Sequence, residues 1–472
     1  MVLGAFFATA ASVPWRRSLL LLPTLVLLWQ LCRLLHRLWW RPRCLERELR
    51  SKGLRGTSYR FLTGDLREQG RRNKDAWSRR LPLRCHDIAP RVAPLLCDSA
   101  REHGKVSLSW FGPIPKVTIA DPELAKSVLS DKSGHFEKPK FPAMWKLLAN
   151  GLLNHEGEKW VKHRRLLNPA FHLEKIKTLQ CMLPEFSACC EELVGRWTES
   201  VGSSEGTHEM DIWPELKNLA GDVISRTAFG SSYLEGMKIF QLQTEQAERL
   251  ITNIRRILIP GYLSLPTPNN KRMHQVNNEV ESILRGLIAK KTKAIKEGES
   301  TKNDLLGLLL ESNMRHTDDN GQSSMGMPIE DVTMILYEVL RLYPPSIHFS
   351  RKTCKEVLIG DKRYPAGMMI ELSVLLMHHD PDIWESDVHE FKPERFAEGI
   401  SKASKNSGAF LPFGWGPWIC IGQNFALTEA KMAICMILQR FDFVLAPSYT
   451  HAPYTVVTLH PMHGAQIRLG LI

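Results

Sequence analysis

Residues 413–422 read FGWGPWICIG and lead directly into QNFALTEAKMAICMILQRF, in which apolar residues recur at helical spacing. Cys420 therefore lies between a glycine-rich loop and the first turn of a helix. Gly414 and Gly416 allow the backbone to turn tightly and to approach a flat ligand, and Gly422 is expected to leave room where the helix packs against that ligand. The helix dipole and loop N–H groups would stabilise a thiolate here. A cysteine flanked by glycines is, taken alone, more often a turn with a buried thiol.

The same stretch resembles the haem-binding signature of cytochromes P450, F-x-x-G-x-R-x-C-x-G, at Phe413, Gly416, Cys420 and Gly422. The resemblance implies heme b, with Cys420 as the axial thiolate ligand of its iron. One position differs, because Trp418 stands where the family has an arginine that pairs with a haem propionate. Losing that charge-assisted contact, worth roughly 1.5–3 kcal/mol, is expected to weaken haem binding.

Two further motifs place charged residues at the family's positions. Glu338 and Arg341 are three residues apart on one helix face, just before a Tyr-Pro-Pro sequence ends the helix, and Arg395 lies in a PERF element. Alone, the first two residues would be a common surface pair. The resemblance implies that Glu338, Arg341 and Arg395 form a structural charge network behind the haem loop.

Three more residues are candidate ligands of the haem propionates. Trp160 and Arg164 match the family's W-x-x-x-R, and Arg351 stands at another propionate position after the Pro-Pro turn. The alternative for Arg164 is a solvent-exposed basic helix, because Lys162, His163 and Arg165 are its neighbours.

The periodicity predicts a mainly α protein with small β-sheets, and the resemblance implies a cytochrome P450 fold, a single large domain over residues 41–472. A hairpin is predicted at 105–120, a helix capped by Asp121 follows it, and mostly helical patterns run from 157 to 310. Short β segments return near 356–370 and at Thr455–Leu459 and Ala465–Leu469.

Residues 1–40 are predicted to be an N-terminal membrane anchor. Ser18–Cys32 carries no charge, and Trp39 and Trp40 suit a membrane interface, although fifteen residues fall short of the roughly 20 that a spanning helix prefers. A cleaved secretory signal is the alternative, but no small-residue cleavage site follows the apolar run. Basic residues are more numerous after the run than before it, which predicts a single-pass protein whose catalytic domain faces the cytoplasm.

The formal charge of +12 is compatible with binding of nucleic acid, anionic lipid or an acidic protein. No nucleic-acid module is recognisable, so no nucleic-acid partner is predicted. Much of the positive charge lies close to the anchor, where it favours a negatively charged leaflet.

One element of the family is missing from the sequence. Family members carry a long helix across the distal haem face, with an A/G-G-x-D/E-T-T motif, between the segment DLLGLLLESN at 304–313 and the E-x-x-R helix. This chain has no Thr-Thr pair, and the polar stretch between these two points is too short for a helix of about 30 residues at about 1.5 Å each. We therefore predict that the central distal helix is deleted near residues 331–332, and we assign no distal catalytic residue.

The resemblance is closest to the plant seventy-two clan, which contains secologanin-synthase-like enzymes. It implies a haem-thiolate monooxygenase of the endoplasmic reticulum membrane that hydroxylates an apolar small molecule, a terpenoid-like plant metabolite. Dioxygen and electrons from NADPH-cytochrome P450 reductase would be its co-substrates, with activity impaired by the deletion. Two alternatives are a non-catalytic membrane-bound haem protein and a haem-dependent rearrangement without external oxygen.

Overall fold

The computed structural model describes residues 14–139, 147, 151–171, 176–203, 207–229, 233–257, 259, 261–296 and 329–472. The first thirteen residues of the predicted anchor, the segment 304–313 and most of the polar stretch before residue 331 lie outside these ranges.

Helices dominate the described residues. In chain order they are α1 Pro14–Leu35, α2 Arg41–Ser51, α3 Leu66–Trp77, α4 Ala89–Val92, α5 Pro94–His103, α6 Pro122–Leu129, α7 Gly157–Phe171, α8 Ile176–Gly202, α9 Ile212–Phe229, α10 Tyr233–Thr252, α11 Ile254–Ile257, α12 Pro268–Lys296, α13 Ile329–Leu342, α14 Val374–His378, α15 Pro381–Trp384 and α16 Gln423–Leu438.

Twelve short strands form small sheets at the edge of the helical body in the described part of the chain. They are β1 Val106–Phe111, β2 Ile114–Ile119, β3 Phe136–Glu137, β4 Thr207–Asp211, β5 Phe349–Thr353, β6 Val357–Ile359, β7 Lys362–Tyr364, β8 Met369–Leu372, β9 Phe441–Leu445, β10 Pro453–Val456, β11 Thr458–Pro461 and β12 Gln466–Leu471. The largest sheet has the order β1-β2-β8-β5-β3, and only its β2–β8 pair is parallel. A second sheet has the order β4-β12-β9, and two hairpins, β6-β7 and β10-β11, complete the set.

The predicted elements appear with small shifts. The hairpin is β1 and β2, and the Asp121 carboxylate caps α6 by accepting the Leu124 N–H at 2.9 Å. The prediction of one strand at Thr455–Leu459 was wrong, because this segment folds back on itself as β10 and β11. Val457, with φ of +68°, is the residue at which the chain reverses.

Two apolar cores lie on either side of residues 413–422. One lies between the largest sheet, α6 and residue Leu411, and the other joins α8 to α16, β9 and β12. These cores fix both sides of the loop that carries Cys420. Among the described residues, no helix combines the length and the apolar character needed to cross a membrane.

Candidate cofactor site around Cys420

Cys420 lies at the end of a tightly folded loop that opens α16. A short 3₁₀ turn spans Gly416–Trp418, and Gly422 is the residue before the first helical position. The Cys420 N–H donates to the Phe413 carbonyl at 2.8 Å, which closes the loop. The Cys420 side chain is exposed and in no disulfide, so its sulfur is accessible to a ligand at the positive end of a helix.

The loop glycines serve different purposes. Gly414 and Gly416 have φ of +81° and +66°, which a glycine adopts without strain. A Cβ at Gly416 would also stand 2.8 Å from the Leu129 carbonyl at the end of α6. A Cβ at Gly422, whose φ is −89°, would have no protein neighbour within 4 Å, so the room that Gly422 is expected to leave for a flat ligand stays a prediction.

Trp418 packs against Trp160 of α7, with ring centroids 4.1 Å apart and planes inclined by 46°. Two cations approach the same indole ring. The Lys138 ammonium is 4.8 Å from the ring centroid, and the Arg351 guanidinium carbon is 5.6 Å from it. Cation–π attraction therefore holds both cations beside the loop.

Arg164 also reaches this loop. It lies one helical turn after Trp160 on α7 and donates from Nη1 to the Ile419 carbonyl at 2.9 Å, one residue before Cys420. Arg164 is only partly exposed, whereas its neighbours Lys162 and Arg165 are exposed. The alternative of a wholly solvent-exposed basic helix therefore does not hold for Arg164.

In the part of the chain that the structure describes, no carboxylate is paired with the cations around Trp418. None of Lys138, Arg164 and Arg351 forms an ion pair with another described residue, although Glu156 contributes some negative potential to Lys138 and Arg351. Burial lowers the pKa of Arg164 and of Arg351, and it lowers the pKa of Lys138 to about 8. Three partly desolvated cations next to a thiol can accept a ligand with two negative charges, such as the two propionates of a haem. The residues present therefore fit that group.

Lys138 is the member of this cluster that the sequence reasoning missed. Its position follows from strand register, because β3 pairs antiparallel with β5 through Phe136↔Thr353 and Glu137↔Lys352. Lys138, the first residue after β3, therefore comes beside Arg351. The Lys138 ammonium also donates to the carbonyls of Leu152 and His155, at 3.0 and 3.3 Å. The sequence signal for this pairing is weak, since β3 has only two residues.

The acidic and basic residues of the two charge motifs meet in the interior. Glu338 and Arg341 are fully buried and form two parallel hydrogen bonds of 2.7 Å. Arg395 Nε lies 3.7 Å from Glu338 Oε1, and Arg395 Nη1 donates to Asp387 at 2.8 Å. The surface-pair alternative for Glu338 and Arg341 is therefore wrong.

The buried pair is connected to the cysteine loop. Arg341 Nη1 donates to the carbonyls of His378 and Val388, at 3.0 and 2.8 Å. The His378 ring then accepts the N–H of Leu411 at 3.0 Å, two residues before the loop begins. The backbone that leads into the cysteine loop is thus hydrogen-bonded to the His378 ring, and the His378 carbonyl is in turn hydrogen-bonded to Arg341.

The chain matches known proteins over most of its length. The Cytochrome P450 family model matches residues 92–335 and 327–458. Cytochrome P450 CYP72A616 of Paris polyphylla is 49% identical over 92% of this chain and 94% of that protein. Cytochrome P450 72A15 of Arabidopsis thaliana is 43% identical over 94% of this chain and 96% of that protein. The retinoic acid bound cyanobacterial CYP120A1 superposes with a TM-score of 0.65 at 19% identity, over 80% of this chain and 94% of that chain, so it supports the fold alone.

Proposed function

The chain belongs to the cytochrome P450 family of haem-thiolate monooxygenases, with relatives in the plant seventy-two clan, and from this premise we propose that it is a membrane-anchored member whose oxygen chemistry is impaired. The family supplies the enzyme class and the cofactor, heme b with an axial cysteine thiolate. The arrangement of Cys420 between a closed loop and a helix start is the observation that carries the proposal for this chain.

We assign the iron ligand to Cys420. A bound haem with a thiolate ligand supplies the electron-rich iron that favours O–O cleavage. The protein holds the sulfur at the N-terminus of α16, where the helix dipole and the loop stabilise negative charge. The Phe413 carbonyl fixes the Cys420 backbone through the 2.8 Å hydrogen bond that closes the loop.

We assign the propionates to Lys138, Arg164 and Arg351. These side chains lie on three different elements but converge on Trp418 and Ile419, and none has a carboxylate partner among the described residues. Trp160 contributes the indole that packs against Trp418 beside these cations. Trp160, Arg164 and Arg351 were predicted from the family's motifs, whereas Lys138 is added by the structure. Phe413, Gly416 and Gly422, the other matching positions of the haem-binding signature, are assigned to cofactor binding through the loop that they form.

The proposal that a distal segment is missing has two lines of support in the comparisons. The alignment with the Paris polyphylla relative extends over 492 residues, although 92% of this 472-residue chain takes part. About 55–60 aligned positions of that relative therefore have no counterpart here. The family model also matches in two pieces that meet at 327–335, next to the predicted junction at 331–332.

The packing of α16 gives a third line of support. This helix is apolar on most of its circumference, as in ALTEAKMAICMIL, which is the pattern of a helix enclosed on all sides. Only Ala433 of α16 is fully buried, however. On α13, Ile335 and Val339 occupy one face and are also exposed. Both helices therefore present apolar surface that a further helix would cover.

Membrane attachment through residues 1–40, with a cytoplasmic domain over 41–472, remains part of the proposal. Leu25, Val26, Leu27 and Leu28 are consecutive in α1 and all more than half exposed, so this turn of the helix presents apolar surface on every side. Such a helix is suited to lipid and poorly suited to water. The relatives in the plant clan are consistent with the endoplasmic reticulum as the site of attachment.

The proposed reaction is hydroxylation of an apolar, terpenoid-like plant metabolite with electrons from NADPH-cytochrome P450 reductase. Without the distal segment the chain has neither the acid nor the hydroxyl that the family uses to deliver protons, and it excludes water poorly. Positioned proton transfer typically contributes roughly 10²–10⁴-fold to such a step. The expected phenotype is therefore NADPH consumption that yields hydrogen peroxide and little hydroxylated product.

The test has two parts. The reduced full chain with carbon monoxide is expected to show a thiolate-type Soret band that Cys420→Ala abolishes and Cys435→Ala, at a half-buried position in α16, preserves. Reconstitution with reductase, NADPH and terpenoid substrates then measures product and peroxide together. A thiolate band in Cys420→Ala would remove Cys420 from its role, and tightly coupled hydroxylation would show that the distal function is intact.

A further inference from the structure

A second group of ligand side chains lies away from the Cys420 loop. Asp87, just before α4, His379, just after α14, and His389, in the loop after α15, converge on one point. Each offers one ligand atom, and the three atoms lie within 4.8 Å of one another. Three separate segments of the chain therefore deliver two imidazoles and a carboxylate to a common position.

The hydrogen bonding of His379 leaves one ring nitrogen free. Its Nε2 lies 2.9 Å from the Leu342 carbonyl, so Nε2 carries the proton and donates. Its Nδ1 then carries a lone pair, yet this atom is buried and has no hydrogen-bond partner among the described residues. The residue itself is only 7% exposed. In a metal-binding histidine, one ring nitrogen typically donates such a hydrogen bond, and this fixes the lone pair on the other nitrogen, which binds the metal.

His389 repeats the same feature. Its Nδ1 is also buried and without a partner in the described part of the chain. The two rings lie 5.4 Å apart between centroids. Two unpaired, buried imidazole nitrogens beside a carboxylate are uncommon, because buried polar atoms are nearly always paired. A cation between them would satisfy both.

We propose that Asp87, His379 and His389 bind one divalent transition-metal ion, with Zn²⁺ as the best fit. Imidazole and carboxylate ligands suit Zn²⁺, whereas Ca²⁺ and Mg²⁺ prefer oxygen ligands alone. Zn–N and Zn–O bonds are about 2.0–2.2 Å long, so the three ligand atoms would draw together by about 1 Å on binding.

The site would brace the scaffold behind the cysteine loop. Arg341 holds the carbonyls of His378 and Val388, and each of these residues immediately precedes one of the two histidine ligands. A metal ion joining His379 to His389 would therefore fix both segments that clamp Arg341. Asp87, as the third ligand, would connect the segment before α4 to the same ion. The ion is thus a structural one in this proposal, and it is independent of the chemistry at Cys420.

The test is titration of the EDTA-treated full chain with ZnCl₂ by calorimetry. We expect one equivalent to bind, and we expect Asp87→Asn and His389→Ala each to weaken binding at least 10-fold. His463→Ala, which removes an exposed histidine far along the chain, is the matched control and is expected to bind like the parent. His379 is left intact because its Nε2 hydrogen bond also supports the fold.

Two further measurements keep the outcome decisive. Zn²⁺ should raise the thermal midpoint of the parent chain and of His463→Ala, but not that of the two ligand variants. Bound Co²⁺ should show visible bands without a thiolate charge-transfer band, since no cysteine is in the site. The proposal is overturned if Asp87→Asn and His389→Ala bind Zn²⁺ as tightly as the parent, or if Co²⁺ binds only through thiolate.

Discussion

Trp418 lies against Trp160, with ring centroids 4.1 Å apart, at the position where the cytochrome P450 signature has an arginine. Lys138 and Arg351 both lie over the Trp418 ring. The chain thus replaces a cation in the loop by an aromatic surface that gathers cations from other elements. Haem binding then depends on Lys138 and Arg351, which lie outside the signature, and on the Trp418 ring that they contact.

Trp418→Arg is expected to have opposite effects on the two forms of the protein. In the haem-loaded chain, the new guanidinium would add a charge-assisted hydrogen bond to a propionate, worth roughly 1.5–3 kcal/mol, and slow haem loss about 10-fold or more. In the haem-free chain, a fourth cation beside Lys138, Arg164 and Arg351 would lower the thermal midpoint by repulsion.

The measurement is haem transfer to an excess of apomyoglobin, together with thermal unfolding of the haem-free protein. Trp418→Phe keeps an aromatic ring without a charge and is expected to change neither quantity strongly. Haem loss at the parent rate from Trp418→Arg would show that the indole already fills the site as well as an arginine does.

Lys138→Met is expected to speed haem loss about 10-fold, because methionine keeps the apolar stem and removes the ammonium that we assign to a propionate. Lys126→Met is a matched control, since the Lys126 ammonium also lies over a loop tryptophan, 5.2 Å from the Trp415 ring, but belongs to α6. Equal rates of haem loss from the two variants would remove Lys138 from the propionate site.

Glu338→Gln is expected to destabilise the fold, because it leaves the Arg341 charge fully buried beside a neutral amide. Breaking a buried pair in this way typically costs about 3–5 kcal/mol, which should lower the thermal midpoint by roughly 5 °C. Glu281→Gln is the control, since the Glu281–Arg285 pair is exposed on α12 and such pairs contribute at most about 0.5 kcal/mol. A Glu338→Gln midpoint equal to that of the control would contradict a supporting role for the network.

The sequence predicts those parts of the site whose residues stand in short sequence motifs. Cys420, Glu338, Arg341 and Arg395 stand in short motifs that resemble those of the family, and the structure brings the last three together in the interior. Lys138 could not be predicted in the same way, because its place depends on the pairing of two distant strands, β3 and β5.

The zinc site proposed at Asp87, His379 and His389 is similarly long-range. Asp87 lies about 300 residues before the two histidines, so no short spacing motif marks the three ligands together. The reversal at Val457 was missed for a different reason. A β-branched residue rarely adopts a positive φ, and the apolar run around it reads as a single strand. For the zinc site, as for Lys138, the deciding interaction is tertiary, whereas at Val457 it is an uncommon local backbone conformation.

The final prediction concerns the distal segment. If the aligned positions that this chain lacks include the proton-delivering helix, then inserting the corresponding segment of the Paris polyphylla relative between residues 331 and 332 should restore function. The inserted helix would cover the apolar faces of α13 and α16, including the exposed Ile335 and Val339, and so raise the thermal midpoint. It would also supply the missing acid and hydroxyl, so the ratio of hydroxylated product to peroxide should rise by roughly 10²-fold or more.

A matched insert in which the acid and threonine are replaced by alanine should restore stability without restoring coupling. Equal coupling with both inserts would show that the chain has lost water exclusion rather than proton delivery. An unchanged thermal midpoint with either insert would show that no missing helix packs against the apolar faces of α13 and α16.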